Sequence, residues 1–483
     1  MSESHPEYVA AKRPPAWRGW AVFLLAIAAT FVLGLLAASV LQRREEARPR
    51  PPLMPVGAWE MESSKWGLNF PREFDTFKLT ADSSTRTKYG GADPRDYLAE
   101  TPANAILFAG YAFAKDYRQA RGHAHTVEDV SKTPRISAKS PATCWTCKSP
   151  DVPRLMHEMG DPAKFYASKF LDLKPQITHP IGCFDCHEPN TMKLRVTRPA
   201  LREAFQRRGR DVDQVSHQEM RSLVCAQCHV EYYFKPDGNY LTFPWDKGTR
   251  PEDMEAYFDA VHFSDFTHAI SKTPMIKIRH PDYEVYSTGI HAYRNVSCAD
   301  CHMPYRTEGG EKFTDHHIQS PLLNIANSCA VCHRWSEGDI RQRVEAIQDK
   351  VREGRDRAEA MLARAHFDVA AAIQAGAGDD ELQGVRKLIR GAQLRWDYVA
   401  ANNGMGFHSP QECLRILAAS LDLSGDCRIQ CARILARHGV VAPVQYPDWG
   451  SKEKAQALLK AILDGKMPDL IVKPQKVAAR TRL

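Results

Sequence analysis

Cys144-Trp145-Thr146-Cys147-Lys148 is followed by four pentapeptides of nearly the same form. These are Cys183-Phe184-Asp185-Cys186-His187, Cys225-Ala226-Gln227-Cys228-His229, Cys298-Ala299-Asp300-Cys301-His302 and Cys329-Ala330-Val331-Cys332-His333. Two thiols three positions apart can both add to the vinyl groups of one porphyrin, and the residue after the second thiol is then carried beneath the iron as its protein ligand. The ten cysteines therefore read as five haem c attachments, with His187, His229, His302 and His333 as proximal imidazoles. Structural zinc also uses Cys-x-x-Cys, but in couples that close a tetrahedron with four ligands. Here each pair is followed at once by its own basic ligand. The first motif is the odd one, because Lys148 stands where the others have histidine. A deprotonated lysine amine ligates iron, so the motif reads as an occupied site of altered ligation rather than a degenerate one. That substitution separates an enzyme from an electron carrier.

Outside the motifs, the chain of 483 residues is long enough to bury one large core or two. A net charge of +7 is spread along the sequence, with no basic run interleaved with aromatics, which argues against nucleic-acid binding. Three of the thirteen cysteines remain, Cys413, Cys427 and Cys431, and they read as buried thiols packing as small hydrophobes, with a bridge from Cys413 as the lesser alternative. Residues 19–41 carry no charge and are long enough to span a membrane. Lys12, Arg13 and Arg18 precede them and Arg43, Arg44, Arg48 and Arg50 follow, so charge counting leaves the orientation undecided. Attachment of haem in this way resembles that of proteins matured outside the cytoplasmic membrane, which puts residues 1–18 in the cytoplasm and the body on the periplasmic side. The run exceeds an ordinary signal region and Ala37-Ala38-Ser39 is a weak cleavage site, so a retained anchor is preferred to a cleaved signal.

Residues 42–58, with Pro49, Pro51, Pro52 and Pro55, read as a linker. From 59 to 335 the helical patterns are short and broken by Pro and Gly, as expected of a body that uses porphyrins as its core. The motifs share no longer repeat, which excludes a solenoid. After Trp335 the texture changes: 336–470 reads as a region of long helices, over 337–374, 379–401, 410–420, 426–438 and 451–463. The first would reach ~57 Å at 1.5 Å per residue and serves as a scaffold folded onto the body, a dimer seam, or both. The fold class is thus mainly α, a multihaem cytochrome c body of short broken helices with long C-terminal helices.

One Cys-x-x-Cys-Lys motif ahead of four Cys-x-x-Cys-His motifs, with long helices after them, resembles the pentahaem cytochrome c nitrite reductases. The likeness covers about residues 95 to 465. It also rests on Arg121-Gly122-His123, Lys148-Ser149-Pro150, His229-Val230-Glu231-Tyr232-Tyr233-Phe234 and Ser271-Lys272-Thr273-Pro274-Met275. The resemblance implies six-electron reduction of nitrite to ammonium at the Lys148 haem, fed by four bis-histidine haems. It implies a membrane-bound multihaem quinol dehydrogenase or another multihaem donor as partner, and a homodimer. Matched to the family pattern, His123 is the distal ligand of the third haem, His316 of the second, His408 of the fourth and His291 of the fifth. His125 and His317 are their neighbouring decoys. Around the open face of the first haem the family places an arginine, a tyrosine and a histidine, which match Arg135, Tyr232 and His280. Each suits a site where an anion is held and its N–O bonds are protonated.

One departure stands out. The family commonly holds calcium with Glu and Tyr of a Glu-Tyr pair, a Lys carbonyl and the Gln of Lys-x-Gln-His, and this chain has Glu231, Tyr232 and Lys277 but Arg279 in place of the glutamine. A guanidinium cannot ligate a cation and repels one. The expectation is that calcium is absent and that Arg279 takes its place, pairing Glu231. Two other classes remain open on the residues alone: a multihaem electron-transfer cytochrome whose lysine-ligated haem is closed by a sixth ligand, and a related enzyme acting on hydroxylamine or sulfite.

Overall fold

The computed structural model describes residues 15, 17–46 and 53–472. Lys12, Arg13, Arg48, Arg50 and the linker prolines at 49, 51 and 52 lie outside the described residues. Apolar side chains on every face make Trp17–Glu46 one continuous helix of 30 residues. It is the one helix among the described residues long and apolar enough to cross a membrane, a property that an anchor and a signal sequence share.

Residues 53–472 form one compact unit. In its first part no described helix exceeds ten residues. Prolines start many of them, as at Pro71, Pro162, Pro199 and Pro251, where the missing N–H would be unpaired in any case. Among the described residues, strands are confined to three antiparallel pairs. The longest joins Tyr305–Glu308 to Glu311–Thr314, closed by Gly309 and Gly310, both with positive φ as a two-residue hairpin turn requires.

After Trp335 the helices lengthen. Ser336 caps Glu337–Gln374, a helix of 38 residues, by accepting from the Asp339 N–H. Asp379–Ala400 and Pro410–Arg437 pack against it and against each other, and Lys452–Leu463 is the last helix among the described residues. The sequence predicts a break between 420 and 426, and the structure has none. Gly425 weakens the helix there, but Ser420 donates to the Ala392 carbonyl at 2.7 Å and Ser424 to the Ser420 carbonyl at 2.7 Å, so packing against the neighbouring helix carries the turn through. Cys413, Cys427 and Cys431 are free and buried in this packing. The core is continuous across residue 335, joining Phe108, Trp145 and Ile278 to Leu362, Trp396 and Ile416. The change of texture therefore marks a change of helix length within one body, and residues 59–335 and 336–470 are not separately packed.

Candidate haem sites and active site

Local structure presents the thiols. Cys183–Cys186 and Cys298–His302 are each about one helical turn, which sets residues i and i+3 on one side. The second is fixed by Ser297, whose hydroxyl accepts from the Asp300 N–H while Asp300 accepts from the Ser297 N–H. Thiols of different motifs also meet. Cys147 lies beside Cys228, and Cys225 beside Cys298, with Cys301 close to Cys329 and Cys186 close to Cys228. The motifs are therefore neighbours in the order first, third, fourth, fifth, with the second beside the third.

Each motif histidine faces a histidine from elsewhere in the chain. Ring centres are 6.2 Å apart for His187 and His316, 6.4 Å for His229 and His123, 6.3 Å for His302 and His408, and 6.3 Å for His333 and His291. Two imidazoles that each hold one metal ion through a nitrogen at about 2 Å have ring centres about 6 Å apart, so the four pairs and their thiols fit haem c. The other two histidines near them are engaged differently: His125 bonds the Ala81 carbonyl at 3.0 Å, and His317 meets Asp315 through its peptide N–H at 2.9 Å. Gly289 lets two of these segments meet, since a Cβ there would lie 2.0 Å from the carbonyl oxygen of His408.

The first motif is anchored firmly. Trp145 stacks on Phe170 with ring centres 4.0 Å apart and donates its indole N–H to the Phe170 carbonyl at 3.0 Å. Arg198, fully buried, donates to the carbonyls of Thr146 at 2.9 Å and Ser149 at 2.8 Å, the residues that bracket Lys148. Its remaining nitrogen pairs with Asp185 inside the second motif. A charged clasp thus holds the Lys148 loop to its neighbour.

Tyr232 and His280 face each other beside this loop, ring centres 6.5 Å apart. His280 is reached by solvent, and burial drives the half-buried Tyr232 phenol well up, so it keeps its proton. Arg135 rests on the Phe113 ring at 4.4 Å, donates to the Thr133 hydroxyl at 3.1 Å, and its charge reaches the Cys144 thiol. Two hydrogen-bonding side chains and one fixed cation thus gather at the lysine motif.

The expected contact between Arg279 and Glu231 needs correction. The guanidinium goes instead to Asp265, with Nη1 2.9 Å from Oδ2 and Nη2 on Oδ1, and also takes the Lys277 carbonyl. Glu231 is bonded by the Arg279 peptide N–H at 2.5 Å, and its Oε1 has no partner among the described residues. A bidentate carboxylate matches the guanidinium fork, and Asp265 offers it where the Glu231 oxygen is committed to the backbone. Sequence reasoning gave no place to Asp265, to the Arg198–Asp185 clasp, or to Asp282, whose contacts come from residues far along the chain. It also passed over His268 and His366, fully buried and stacked at 3.6 Å.

These features can be set beside known proteins. Residues 62–477 match the cytochrome c552 family. The chain belongs to that family. It is 50% identical over 454 residues to a cytochrome c-552 of Parabacteroides distasonis, covering 92% of each chain, and 43% identical over 446 residues to one of Desulfotalea psychrophila, covering 88% of this chain and 86% of that one. Among solved structures it resembles the catalytic subunit of the cytochrome c nitrite reductase of Desulfovibrio desulfuricans, described with two calcium sites. The TM-score is 0.75 at 32% identity, over 79% of this chain and 88% of the other. The cytochrome c552 fold is thus shared along most of the chain.

Proposed function

We propose that this cytochrome c552 reduces nitrite to ammonium with six electrons and eight protons, releasing two waters. The observation that carries the reading is Lys148 in place of a motif histidine, beside Tyr232, His280 and Arg135, while the four other motifs each face a second imidazole. Haem iron at the Lys148 motif supplies the electrons and the Lewis-acid centre for breaking N–O bonds. The chain's own groups supply the rest. Arg135 adds a fixed positive field that draws in an anion. His280 and the protonated Tyr232 each offer a hydrogen to oxygen or nitrogen of the bound anion.

The paired histidines are proposed as axial ligands of four relay haems: His187 with His316, His229 with His123, His302 with His408, and His333 with His291. The meeting of motif thiols supports a short electron route from the fifth and fourth sites through the third to the first. Electrons come from a membrane-bound multihaem quinol dehydrogenase or a similar multihaem donor, and the long Glu337–Gln374 helix forms the seam of a homodimer. Arg279, holding Asp265 and the Lys277 carbonyl, stands in for calcium, so five haems c complete the cofactor set.

Ammonium yield from nitrite with a reduced viologen donor tests this, on protein whose haem count is known. One ammonium per six electrons is expected. A haem-replete protein that consumes no nitrite would return it to the electron carriers, and turnover of hydroxylamine or sulfite alone would reassign the substrate.

A further inference from the structure

His229 differs from the other motif histidines in what holds its outer nitrogen. His187 Nδ1 meets the Met192 carbonyl at 2.8 Å and His302 Nδ1 the Gln319 carbonyl at 2.9 Å. His229 Nδ1 meets a carboxylate, Asp282 Oδ2, at 3.2 Å. Asp282 is buried, and its position is fixed from two sides. Asn402 Nδ2 and the Asn403 peptide N–H donate to Oδ1 at 2.8 and 2.7 Å, and Asn403 Nδ2 donates to Oδ2 at 2.8 Å. The next residue, Tyr283, donates its peptide N–H to the His229 carbonyl at 3.0 Å. One short segment therefore grips both the backbone and the ring of His229. The two asparagines belong to the turn that also carries His408, so the carboxylate ties the third histidine pair to the fourth.

An imidazole whose N–H is held by a carboxylate shares that proton, becomes a stronger donor, and favours the oxidised over the reduced form of the metal it binds. A backbone carbonyl does this far less. The third motif is also the one whose thiol meets the Lys148 motif, through Cys228 and Cys147.

We propose that Asp282 is a positioning residue that lowers the reduction potential of the third-motif haem below those of the second and fourth, making it the stronger donor to the Lys148 site. The inference rests on the ligand assignment made above for His229. It acts through His229 and does not touch substrate.

The experiment is potentiometry of the holoprotein followed by EPR and magnetic circular dichroism. Asp282→Asn keeps the size and removes the charge, so the third-motif haem is expected to become easier to reduce by about tenfold, which is 59 mV for one electron. Asn403→Ala frees Oδ2 of a competing donor and is expected to shift the same haem the other way. A residue that only braced the fold would not give opposite signs. If neither variant moves that potential while the haem stays low-spin, the proposal is overturned. Should Asp282→Asn not accumulate, the wild type decides: reduction of the third-motif haem before those of the second and fourth overturns the proposal, and reduction after them supports it. Peptide mass mapping that found no haem on Cys225 and Cys228 would instead overturn the ligand assignment itself.

Discussion

The Arg279 guanidinium faces the Asp265 carboxylate through two nitrogens, Nη1 lying 2.9 Å from Oδ2, with both side chains largely shielded from solvent. As proposed above, this built-in cation stands in for a bound one. Turnover is expected to be the same with and without added calcium and to survive a chelator. Arg279→Ala strands the Asp265 carboxylate and is expected to cost about 3 kcal/mol, as a broken buried pair does, read from the unfolding midpoint. Arg279→Gln is expected to recover function when calcium is supplied. Stoichiometric calcium in active wild-type protein would sink the assignment.

Tyr232→Phe and His280→Ala each remove a hydrogen-bonding group at the lysine motif. Nitrite turnover is expected to fall by about a hundredfold in each. The low-spin absorption of the four relay haems should remain, because neither side chain belongs to a histidine pair. Conversion of a relay haem to high spin in His280→Ala would show that His280 and His291 have exchanged roles.

Lys148→His should still carry five covalent haems by denaturing mass spectrometry, since the paired thiols are untouched. Turnover should drop, because an imidazole changes both the donor strength and the height of the ring beneath the iron. Equal turnover in the two proteins would make the lysine incidental. A wild-type mass with four haems, Cys144 and Cys147 free, would remove the catalytic centre altogether.

His268 and His366 give acid sensitivity a definite sign. His366 Nε2 donates to Gln393 Oε1 at 2.7 Å, an oxygen identified by the Gln393 amide donating to the Leu107 carbonyl at 2.8 Å, and His268 bonds the Ile106 carbonyl at 2.9 Å. Burial pushes His366 down from 6.5 to about 4. Below pH 6.5 the unfolded chain therefore takes up a proton that the folded one refuses, and stability is lost as pH falls from about 6.5 to about 4. The loss from His366 is roughly 3 kcal/mol over that interval. His366→Gln should flatten the fall of the unfolding midpoint across it, and parallel curves for mutant and wild type would refute the account.

Much of the site is legible in the chain because its chemistry is local. Cys-x-x-Cys followed by Lys or His singles out the thiols and the proposed proximal ligands within five residues, and the apolar run at 19–41 and the helix at 337–374 declare themselves by composition and period. Contacts that join distant segments do not. Asp282 meets Asn402 and Asn403 across 120 and 121 residues, and nothing in the His-Pro-Asp tripeptide announces it. Analogy with a metal ligand points Arg279 at Glu231, but a guanidinium needs a two-oxygen partner, and Asp265 lies fourteen residues upstream across a strand pair. The helix at 410–437 runs through Gly425 because Ser420 finds a carbonyl on another helix, information no local window holds.

The meeting of Cys147 with Cys228 and of Cys225 with Cys298 bears on how the protein is made. Each contact joins sulfurs from motifs 81 and 73 positions apart, and both form only when the chain has compacted. In an oxidising compartment a precursor that collapsed with its thiols still reduced would hold ready-made partners for wrong bridges, and disulfides form in seconds to hours. Porphyrin joined to the thiols before tertiary closure would remove those partners, which ties the yield of usable protein to the order of haem attachment and folding.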